Sequence, residues 1–377
     1  MTVPTIDDLR AEALRLEQQG FLEHALGAYR HILARHPHDA EMAFRSKALE
    51  RRMKPGNHSD ITVIWQVDPN GMWEREWVRQ LLSGLTIHEV VDGRLQTGRD
   101  CAIIVDNHIS RAKLSYYARQ FDLGYRFGII HLSDELYVDD CACYHYANFV
   151  IRNYWSSHHA HDRRVLAVPL GVNNGYAPLR LSTAERPYVW SFLGAINKSS
   201  RLRMMEVMGT VPDGYSHAVE GVPSPFNVRP YQHDSRKLLA ITEYAEVMSR
   251  TLFAPCPAGW RNLDSFRVYE ALEAGCIPIV ESRSHFDYFC HLLGAHPMPS
   301  VSDWAEAPAL IAGLMRNPQR LDALRRSCES WWQHYRASLA DEVSAHVRNY
   351  LGLSMNQKEF GGMRSIAVAS DDRIGPG

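Results

Sequence analysis

The segment from Leu252 to Val280, LFAPCPAGWRNLDSFRVYEALEAGCIPIV, constrains the fold more than any other part of the chain. Apolar runs predict strands over Leu252–Ala254 and Ile277–Val280, and the stretch Asp264–Ala274 between them predicts a helix. Strand, loop, helix and strand in this order form one unit of a parallel sheet with helices on its faces. The unit places a helix N-terminus directly after a strand, where free backbone N–H groups attract anions.

The loop and helix of this unit carry residues that suit a phosphorylated ligand. Gly259 permits close backbone approach, and Arg261 and Ser265 lie in the same loop. Arg267 lies in the first helical turn, where its planar guanidinium can hold a phosphate, and Glu270 follows on the same face, where its carboxylate can accept hydrogen bonds from ribose hydroxyls. Together they predict a sugar-nucleotide site. The alternative is an ion pair between Arg267 and Glu270 on the helix surface.

A second group of candidates follows the strand predicted over Tyr188–Leu193. Gly194 allows a ligand to approach the strand end, and Lys198 and Arg201 open the next helix. We expect one of these cations, Arg201, to complete a pyrophosphate site. The alternative is a solvated helix start without a ligand.

The remainder of residues 61–351 alternates between strand-like and helix-like patterns, which predicts parallel sheets with helices on both faces. The other predicted strands are Ile61–Val67, Cys101–Val105, Phe127–Leu132, Asn148–Ile151 and Val165–Val168. The predicted helices include Trp73–Leu82, Ser110–Phe121, Ser199–Met208, Ser235–Met248, Ala305–Arg316, Arg320–Tyr335 and Leu339–Leu351. The expected fold is two doubly wound Rossmann-like domains facing a cleft, with ligands at the carboxyl ends of the strands.

The strand ends of the first domain supply candidate bases. The run FGIIHLSDE brings Asp134 and Glu135 to the end of a strand, and Asp68 follows the first strand. A carboxylate beside apolar groups can have a raised pKa and act as a general base, whereas Asp134 can equally cap a helix. Further polar residues at these strand ends, candidates for the acceptor side of the cleft, are His131, Arg152 and Tyr154.

Composition excludes several classes of protein. The formal net charge of the 377 residues is -2, so no basic field exists for nucleic acid. The seven cysteines include no C-x-x-C pair and predict free, mostly buried thiols. We find no signal peptide, no apolar run long enough for a membrane, no Walker loop and no Asp-x-Asp. We therefore expect a cytoplasmic protein without metal ligands or cofactor, whose contact with the inner membrane would come through a partner or acceptor.

Residues 1–54 predict helices whose small and aromatic residues resemble one tetratricopeptide unit. One unit cannot bury its own apolar face. It therefore packs on the rest of the chain as a cap, or it binds a protein partner or a second copy of the chain.

The C-terminal half resembles the exostosin-type glycosyltransferases. The matching residues are Tyr244, Ser249, Phe253, Pro255, Pro257, Gly259, Ser265, Arg267, Glu270, Ala271, Leu272, Gly275, Cys276, Ile277 and Pro278, and SFLGAINKSSR resembles an earlier element of that family. The resemblance is firm over residues 188–280 and weaker over 61–171. It implies a GT-B fold, a UDP- or GDP-linked sugar donor, inversion at the anomeric carbon and no essential metal. No membrane anchor is expected from the sequence, and in this respect the chain resembles bacterial members of the family. The role that this implies is to build surface polysaccharide or to modify a protein.

The sequence pattern predicts a domain organisation, and the resemblance adds a last helix that crosses back and a function. We expect a helical segment at 1–54, an acceptor domain at 60–176, a nucleotide-sugar domain at 187–335, a helix at 336–352 that crosses back, and a disordered tail at 353–377. The expected reaction moves a sugar to a hydroxyl of a polysaccharide, a lipid-linked glycan or a protein. The alternatives are a sugar-nucleotide 2-epimerase and a non-catalytic sugar-nucleotide-binding scaffold.

Overall fold

The computed structural model describes residues 4–53, 61–67, 72–91, 101–223, 231–233, 238–283 and 286–353. It begins with helices α1 (Ile6–Gln18), α2 (Leu22–Arg35) and α3 (Ala40–Met53). These helices share a small core, and α3 also packs on the first α/β domain, where the ring centroids of Phe44 and Phe121 lie 5.0 Å apart. The helical segment thus covers part of its own chain, as expected of a cap.

The first domain is a six-stranded sheet in which every pair of neighbouring strands is parallel. Its strands are β1 (Ile61–Trp65), β2 (Ile87–Val91), β3 (Cys101–Asn107), β4 (Arg126–Leu132), β5 (Phe149–Arg152) and β6 (Val165–Ala167), and its helices are α4 (Arg75–Leu81) and α5 (Leu114–Asp122). The strand order is β2-β1-β3-β4-β5-β6. All residues of β1 and β4 are buried because a parallel sheet is covered on both faces, which explains why their sequences are mostly apolar.

The second domain contains a five-stranded parallel sheet with the order β13-β12-β11-β7-β8. Its strands are β7 (Tyr188–Ala195), β8 (Gly214–Val219), β11 (Thr251–Cys256), β12 (Ile277–Glu281) and β13 (Ser300–Val301), and β9 (Gly221–Pro223) and β10 (Tyr231–His233) form a separate antiparallel pair. Its helices are α6 (Arg201–Met208), α7 (Ile241–Ser249), α8 (Phe266–Glu273), α9 (Tyr288–Leu293) and α10 (Ala307–Met315). The prediction of two doubly wound domains after a helical segment, the GT-B arrangement, is confirmed.

The chain's longest helix, α11 (Pro318–Leu351), packs on both domains. Near its start Leu321 contributes to the core of the second domain, and near its end Arg348 donates to the carbonyl of Gly84 in the first domain at 2.7 Å. The prediction of two separate helices, 320–335 and 339–351, is wrong. No glycine or proline occurs between Pro318 and Gly352, so the backbone has no reason to break where the apolar face passes from one domain to the other.

Strand β2 was also absent from the sequence prediction. It is an edge strand whose described side chains are partly exposed and include Glu89, which forms ion pairs with Arg75 and Arg79. A strand at the edge of the sheet is partly exposed to solvent, so its sequence lacks the continuous apolar pattern by which the central strands were predicted. Residues 54–60 and all of the predicted tail at 353–377 except its first residue lie outside the described residues. Within the part that is described, no helix combines the length and apolarity needed to cross a bilayer.

Candidate functional site

The loops that follow the strands of both sheets meet at one cleft. The loop after β4 contacts the loop after β11, where the hydroxyl of Tyr137 and the side-chain amide of Asn262 are hydrogen-bonded. The segment after β5 contacts α9, where the backbone N–H of Trp155 donates to the hydroxyl of Tyr288 at 3.1 Å. The carboxyl ends of the two sheets therefore face each other, as ligand sites between doubly wound domains require.

Arg267 lies at the centre of this cleft, in the first turn of α8. Its Nη2 donates to the carbonyl of Leu193 at the end of β7, and its guanidinium carbon lies 4.2 Å from the ring centroid of Phe192. Its Nη1 is buried and has no hydrogen-bond partner among the described residues. Gly194 makes this position available, because its φ is +136° and a Cβ there would lie 3.0 Å from Nη2 of Arg267.

Arg201 is buried beside Arg267 at the start of α6. It donates from Nε to the carbonyl of Ala258 at 3.1 Å and from Nη1 to that of Ala195 at 2.8 Å. Burial, together with the positive charge of Arg267, lowers the pKa of Arg201 to about 9. In the described part of the chain neither arginine forms a salt bridge. Glu135 and Glu270 act on these two charges only from beyond salt-bridge distance, so the site can attract a negatively charged ligand.

Other buried polar atoms in the loop after β7 and at the start of α8 have no hydrogen-bond partner in the part of the chain that is described. They are the side-chain oxygen and nitrogen of Asn197 and the hydroxyl of Ser265, the residue that caps α8. Buried polar atoms are normally hydrogen-bonded, so these groups mark places for ligand atoms. Ser265 was predicted, and Asn197 was missed although it lies in the same loop as Lys198. The ammonium of Lys198 lies 5.3 Å from the ring centroid of Trp260, also at this edge of the cleft.

Glu135 reaches from the first domain into the loop after β11. Its Oε1 accepts hydrogen bonds from the backbone N–H groups of Trp260 and, at 3.4 Å, of Arg261. Gly259 is required for this approach, since a Cβ there would lie 2.1 Å from Oε1 of Glu135. The predicted base and the predicted glycine are thus in direct contact across the cleft.

Asp134, the neighbouring candidate base, is buried, and both of its carboxylate oxygens accept hydrogen bonds. Its Oδ2 accepts from Nη2 of Arg152 at 3.1 Å, and its Oδ1 accepts from the backbone N–H of Val138 at 2.9 Å. His131 is buried with Nδ1 at 2.6 Å from the hydroxyl of Tyr144 and Nε2 at 2.8 Å from Oδ2 of Asp139. These contacts give Asp134, His131 and Arg152 a role in fixing the loop that carries Glu135.

The other candidates of the first domain are placed less centrally. Tyr154 is buried at the end of β5 with a φ of +60°. Asp68 lies outside the described residues. The same loop carries a residue that the sequence analysis missed, Glu74, whose pKa burial raises to about 7.

Glu270 is buried on α8 and connects three segments. Its Oε1 accepts from Nδ2 of Asn173 at 2.6 Å, its Oε2 accepts from the hydroxyl of Tyr244 at 2.7 Å, and its carbonyl accepts from the hydroxyl of Tyr176 at 2.8 Å. Burial raises the pKa of the carboxyl group. The alternative of a surface ion pair with Arg267 is wrong, because both side chains are buried and both oxygens of Glu270 have other partners.

Asp264, which precedes α8, was missed as a candidate. Its Oδ1 accepts from the hydroxyl of Tyr269 at 2.6 Å, and its Oδ2 is buried without a partner among the described residues. Burial raises the pKa of Asp264 to about 7, and the charge of Glu135 contributes in the same direction. The sequence had suggested only a helix start here, since nothing in it distinguishes a buried carboxylate from a solvated one.

An open pocket of about 210 Å³ adjoins the loop after β11. Its walls combine aromatic side chains with serines and two arginines, and they come from both domains: Tyr137, Trp155, Ser156, Ser157, Arg261, Asn262, Leu263, Arg283, Phe286 and Tyr288. Nη2 of Arg283 donates to the carbonyl of Arg261 at 3.1 Å, so the two exposed cations lie on the same side of the cleft. Arg261 therefore lines the cleft outside the buried arginine pair.

Comparisons with known proteins match different extents of the chain. Residues 176–351 match the family model described as the RXYLT1 C-terminal domain. Over 173 residues the chain is 25% identical to ribitol-5-phosphate xylosyltransferase 1 of Mus musculus and 26% identical to that of Homo sapiens, and each match covers 41% of this chain and 36% of the relative. The chain thus spans about a third of the length of the curated relatives it matches. Among solved structures, HepE of Anabaena in complex with UDP-glucose is similar with a TM-score of 0.49 and 10% identity, over 76% of this chain and 99% of that one.

The chain is therefore similar to a glycosyltransferase over the domain that holds the arginine pair. The matched residues include the range 188–280, in which the exostosin-type resemblance was found, although the matching family carries a different description.

The burial of Asp264 predicts a dependence of stability on pH. Because its pKa is raised from about 3.9 in an unfolded chain to about 7, its contribution to stability is fully present below the unfolded value and is lost as pH rises through 7. Asp264→Asn keeps the acceptor for Tyr269 and does not titrate. Unfolding in urea should show the variant gaining stability relative to the wild type between about pH 4 and pH 7. Asp122→Asn, at an exposed carboxylate, is the control, and a constant difference across this range would contradict the assignment.

Proposed function

We propose that this protein is a glycosyltransferase that takes a sugar from a nucleotide-diphosphate donor. The observation that carries the proposal is the buried pair Arg201 and Arg267, which forms no salt bridge in the described residues and keeps Nη1 of Arg267 without a hydrogen-bond partner. Two buried cations outside salt-bridge distance of a carboxylate are costly, and a diphosphate offers two negative groups that they can bind. The N-terminus of α8 adds backbone donors to the same place.

The donor is expected to lie between the end of β7 and the start of α8. Its diphosphate contacts Nη1 of Arg267, the hydroxyl of Ser265 and the side-chain amide of Asn197, the groups that lack protein partners. Glu270 stays the candidate for the ribose hydroxyls, because each carboxylate oxygen that already accepts one hydrogen bond has a second lone pair. Two guanidiniums supply positive charge where other transferases use a divalent cation, which fits the absence of an Asp-x-Asp sequence.

The proposed reaction inverts the anomeric carbon in one displacement. The oxygen of an acceptor hydroxyl forms a bond to the anomeric carbon as the bond from that carbon to the diphosphate oxygen breaks, and Glu135 takes the hydroxyl proton. The arginine pair stabilises the negative charge that develops on the departing diphosphate. Glu135 is favoured over Asp134 because it faces the second domain, whereas Asp134 pairs with Arg152.

The carboxylate of Glu135 binds backbone N–H groups of the loop after β11 that could also bind the donor. The backbone N–H groups of Trp260 and Arg261 that bind its carboxylate are themselves suited to a phosphate. We infer that donor binding displaces the carboxylate from these groups and leaves it free to accept a proton.

The acceptor is proposed to bind in the pocket between the domains and to carry a phosphate. Arg261 and Arg283 supply positive charge, and Trp155 and Phe286 supply apolar walls for a carbon chain or ring. The name of the xylosyltransferase to which the chain is similar includes ribitol-5-phosphate, a phosphorylated polyol. A polyol phosphate within a glycan would meet both properties of the pocket.

Replacement of Arg267 tests the donor site. Arg267→Ala should weaken the binding of UDP or GDP by about 2 kcal/mol or more, because it removes a charge-assisted contact. Titration calorimetry measures this loss, and Arg201→Ala should act in the same direction. Arg203→Ala is the matched control, since Arg203 lies exposed on the same helix as Arg201. Unchanged nucleotide affinity in Arg267→Ala would remove the basis of the proposal.

Replacement of Glu135 tests the base. Glu135→Gln should lower kcat for transfer by about 10²- to 10⁴-fold without weakening nucleotide binding, because the amide cannot take a proton and carries no negative charge that competes with the phosphate. If Asp68→Asn has this effect and Glu135→Gln does not, the base is misassigned. Epimerised product from UDP-N-acetylglucosamine without acceptor would favour the 2-epimerase, and binding without any turnover would favour the scaffold.

Replacement of Arg283 tests the acceptor pocket. Arg283→Ala should raise KM for an acceptor that carries a polyol phosphate, with donor affinity preserved, since Arg283 lies outside the buried arginine pair. Steady-state kinetics with phosphorylated and dephosphorylated acceptors measure the difference. Arg250→Ala, on the opposite end of α7 from the cleft loops, controls for loss of surface charge. Equal use of both acceptors by the wild type would refute a phosphate-specific pocket.

A further inference from the structure

Three side chains of different chemistry converge beside α9, outside the donor and acceptor sites. One ligand atom from each of Asp287, Cys290 and His296 lies within 4.8 Å of the other two, and Sγ of Cys290 lies 3.9 Å from Nε2 of His296. Cys290 is the exposed cysteine of the seven, since Cys141 is half-buried and the other five are buried. An imidazole, a thiol and a carboxylate at this spacing form a ligand set that Zn²⁺ accepts.

The local backbone fixes the three groups. Asp287 is the N-cap of α9, and its Oδ1 accepts from the backbone N–H of Cys290 at 3.0 Å. Gly294 ends the helix with a φ of +71°, a turn that returns His296 toward the start of α9. The imidazole of His296 lies near the rings of Phe289 and Trp331, with centroids 6.3 and 6.2 Å away, and its Nδ1 is buried. Only Nε2 of His296 is therefore presented to the other two ligands.

A second cluster with similar composition differs in a decisive way. His131, Asp134 and Cys141 also lie close together, but they are packed against Arg152, whose Nη2 is 3.1 Å from Asp134. Both nitrogens of His131 already have protein partners. A guanidinium in that position occupies the place of a metal cation and repels it. No arginine or lysine is paired with Asp287 in the described residues, so its negative charge stays available.

We propose that Asp287, Cys290 and His296 bind a divalent transition metal ion. Zn²⁺ is the ion whose usual protein ligands match these three groups. In a tetrahedral site a thiolate sulfur and an imidazole nitrogen lie about 3.5 Å apart, so the present separation of 3.9 Å needs little adjustment. Water completes the fourth position. The Cys290 thiol releases its proton to solvent when the metal binds, so affinity rises with pH.

A metal ion at this position would stabilise α9, the helix that forms part of the wall of the cleft. Helix α9 supplies Tyr288 to the open pocket between the domains, and His291, one residue past Cys290, stacks on Trp155 at 4.9 Å between ring centroids. Joining the start of α9 to the segment after Gly294 closes both ends of this short helix on one ion. The site is independent of the proposed sugar transfer, since none of its ligands lies in the donor or acceptor pocket.

Cobalt titration of the full chain after treatment with a chelator tests the proposal. Co²⁺ bound through a thiolate gives a charge-transfer band in the near ultraviolet, which histidine and carboxylate ligands alone do not give. We expect this band in the wild type, its displacement by Zn²⁺, and release of a proton on binding. Cys290→Ser should lose the band, and Cys141→Ser should keep it, which separates this cluster from the second one.

The other two ligands are tested with replacements that preserve the fold. Asparagine caps a helix as well as aspartate does, so Asp287→Asn removes the charged ligand and keeps the N-cap. Asp287→Asn and His296→Gln should each need a higher cobalt concentration to reach the same band, and Zn²⁺ should raise Tm in the wild type but not in Cys290→Ser. No band at saturating cobalt, or a band that survives in Cys290→Ser, overturns the proposal.

Discussion

Two guanidiniums buried side by side without a paired carboxylate are the constraint around which the cleft is arranged. Arg267 lies over the ring of Phe192 and Arg201 is hydrogen-bonded to backbone carbonyls, so both are held in place without a salt bridge among the described residues. A folded chain keeps such charges only if other interactions compensate for the desolvation. The backbone accommodates this placement at Gly194, where no side chain competes with the guanidinium. The positive charge is therefore part of the fold itself, and in the proposed function a diphosphate compensates it.

Glu270 connects the arginine pair on its side of the cleft to the segment that joins the two domains. This residue lies one helical turn after Arg267, and its carboxylate is shared between Asn173 in the connecting segment and Tyr244 on α7. Helix α8 is thereby tied to the segment that joins the two sheets. Glu135 provides a second connection from the opposite side, where a carboxylate of the first domain binds backbone N–H groups of the second. These two contacts connect the two domains on either side of the proposed anion site.

The parts of the fold and site that sequence predicted are those encoded locally. Buried parallel strands have unbroken apolar runs, and Gly259, Arg267 and Glu270 lie within one strand–loop–helix unit, so spacing was sufficient to place them together. Asp134 and Glu135 are neighbours in the chain, and only the tertiary structure shows that one pairs with Arg152 while the other crosses the cleft. The exceptional burial of Asp264 depends on packing from the first domain. The continuity of α11 was hidden because its apolar face changes partners halfway along.

The path of α11 has a consequence for how the chain folds as it is synthesised. Leu339, Val343 and Val347 are made long after strands β1 to β6, yet they complete the same apolar core. The domain that leaves the ribosome first thus keeps part of its core exposed to water until residues near 347 have been added, while the second domain is already assembling. Domains usually fold in the order of their synthesis, but here the core of the first domain is completed by α11, which is synthesised after the second domain. A chain that ends before α11 therefore loses packing in the first domain.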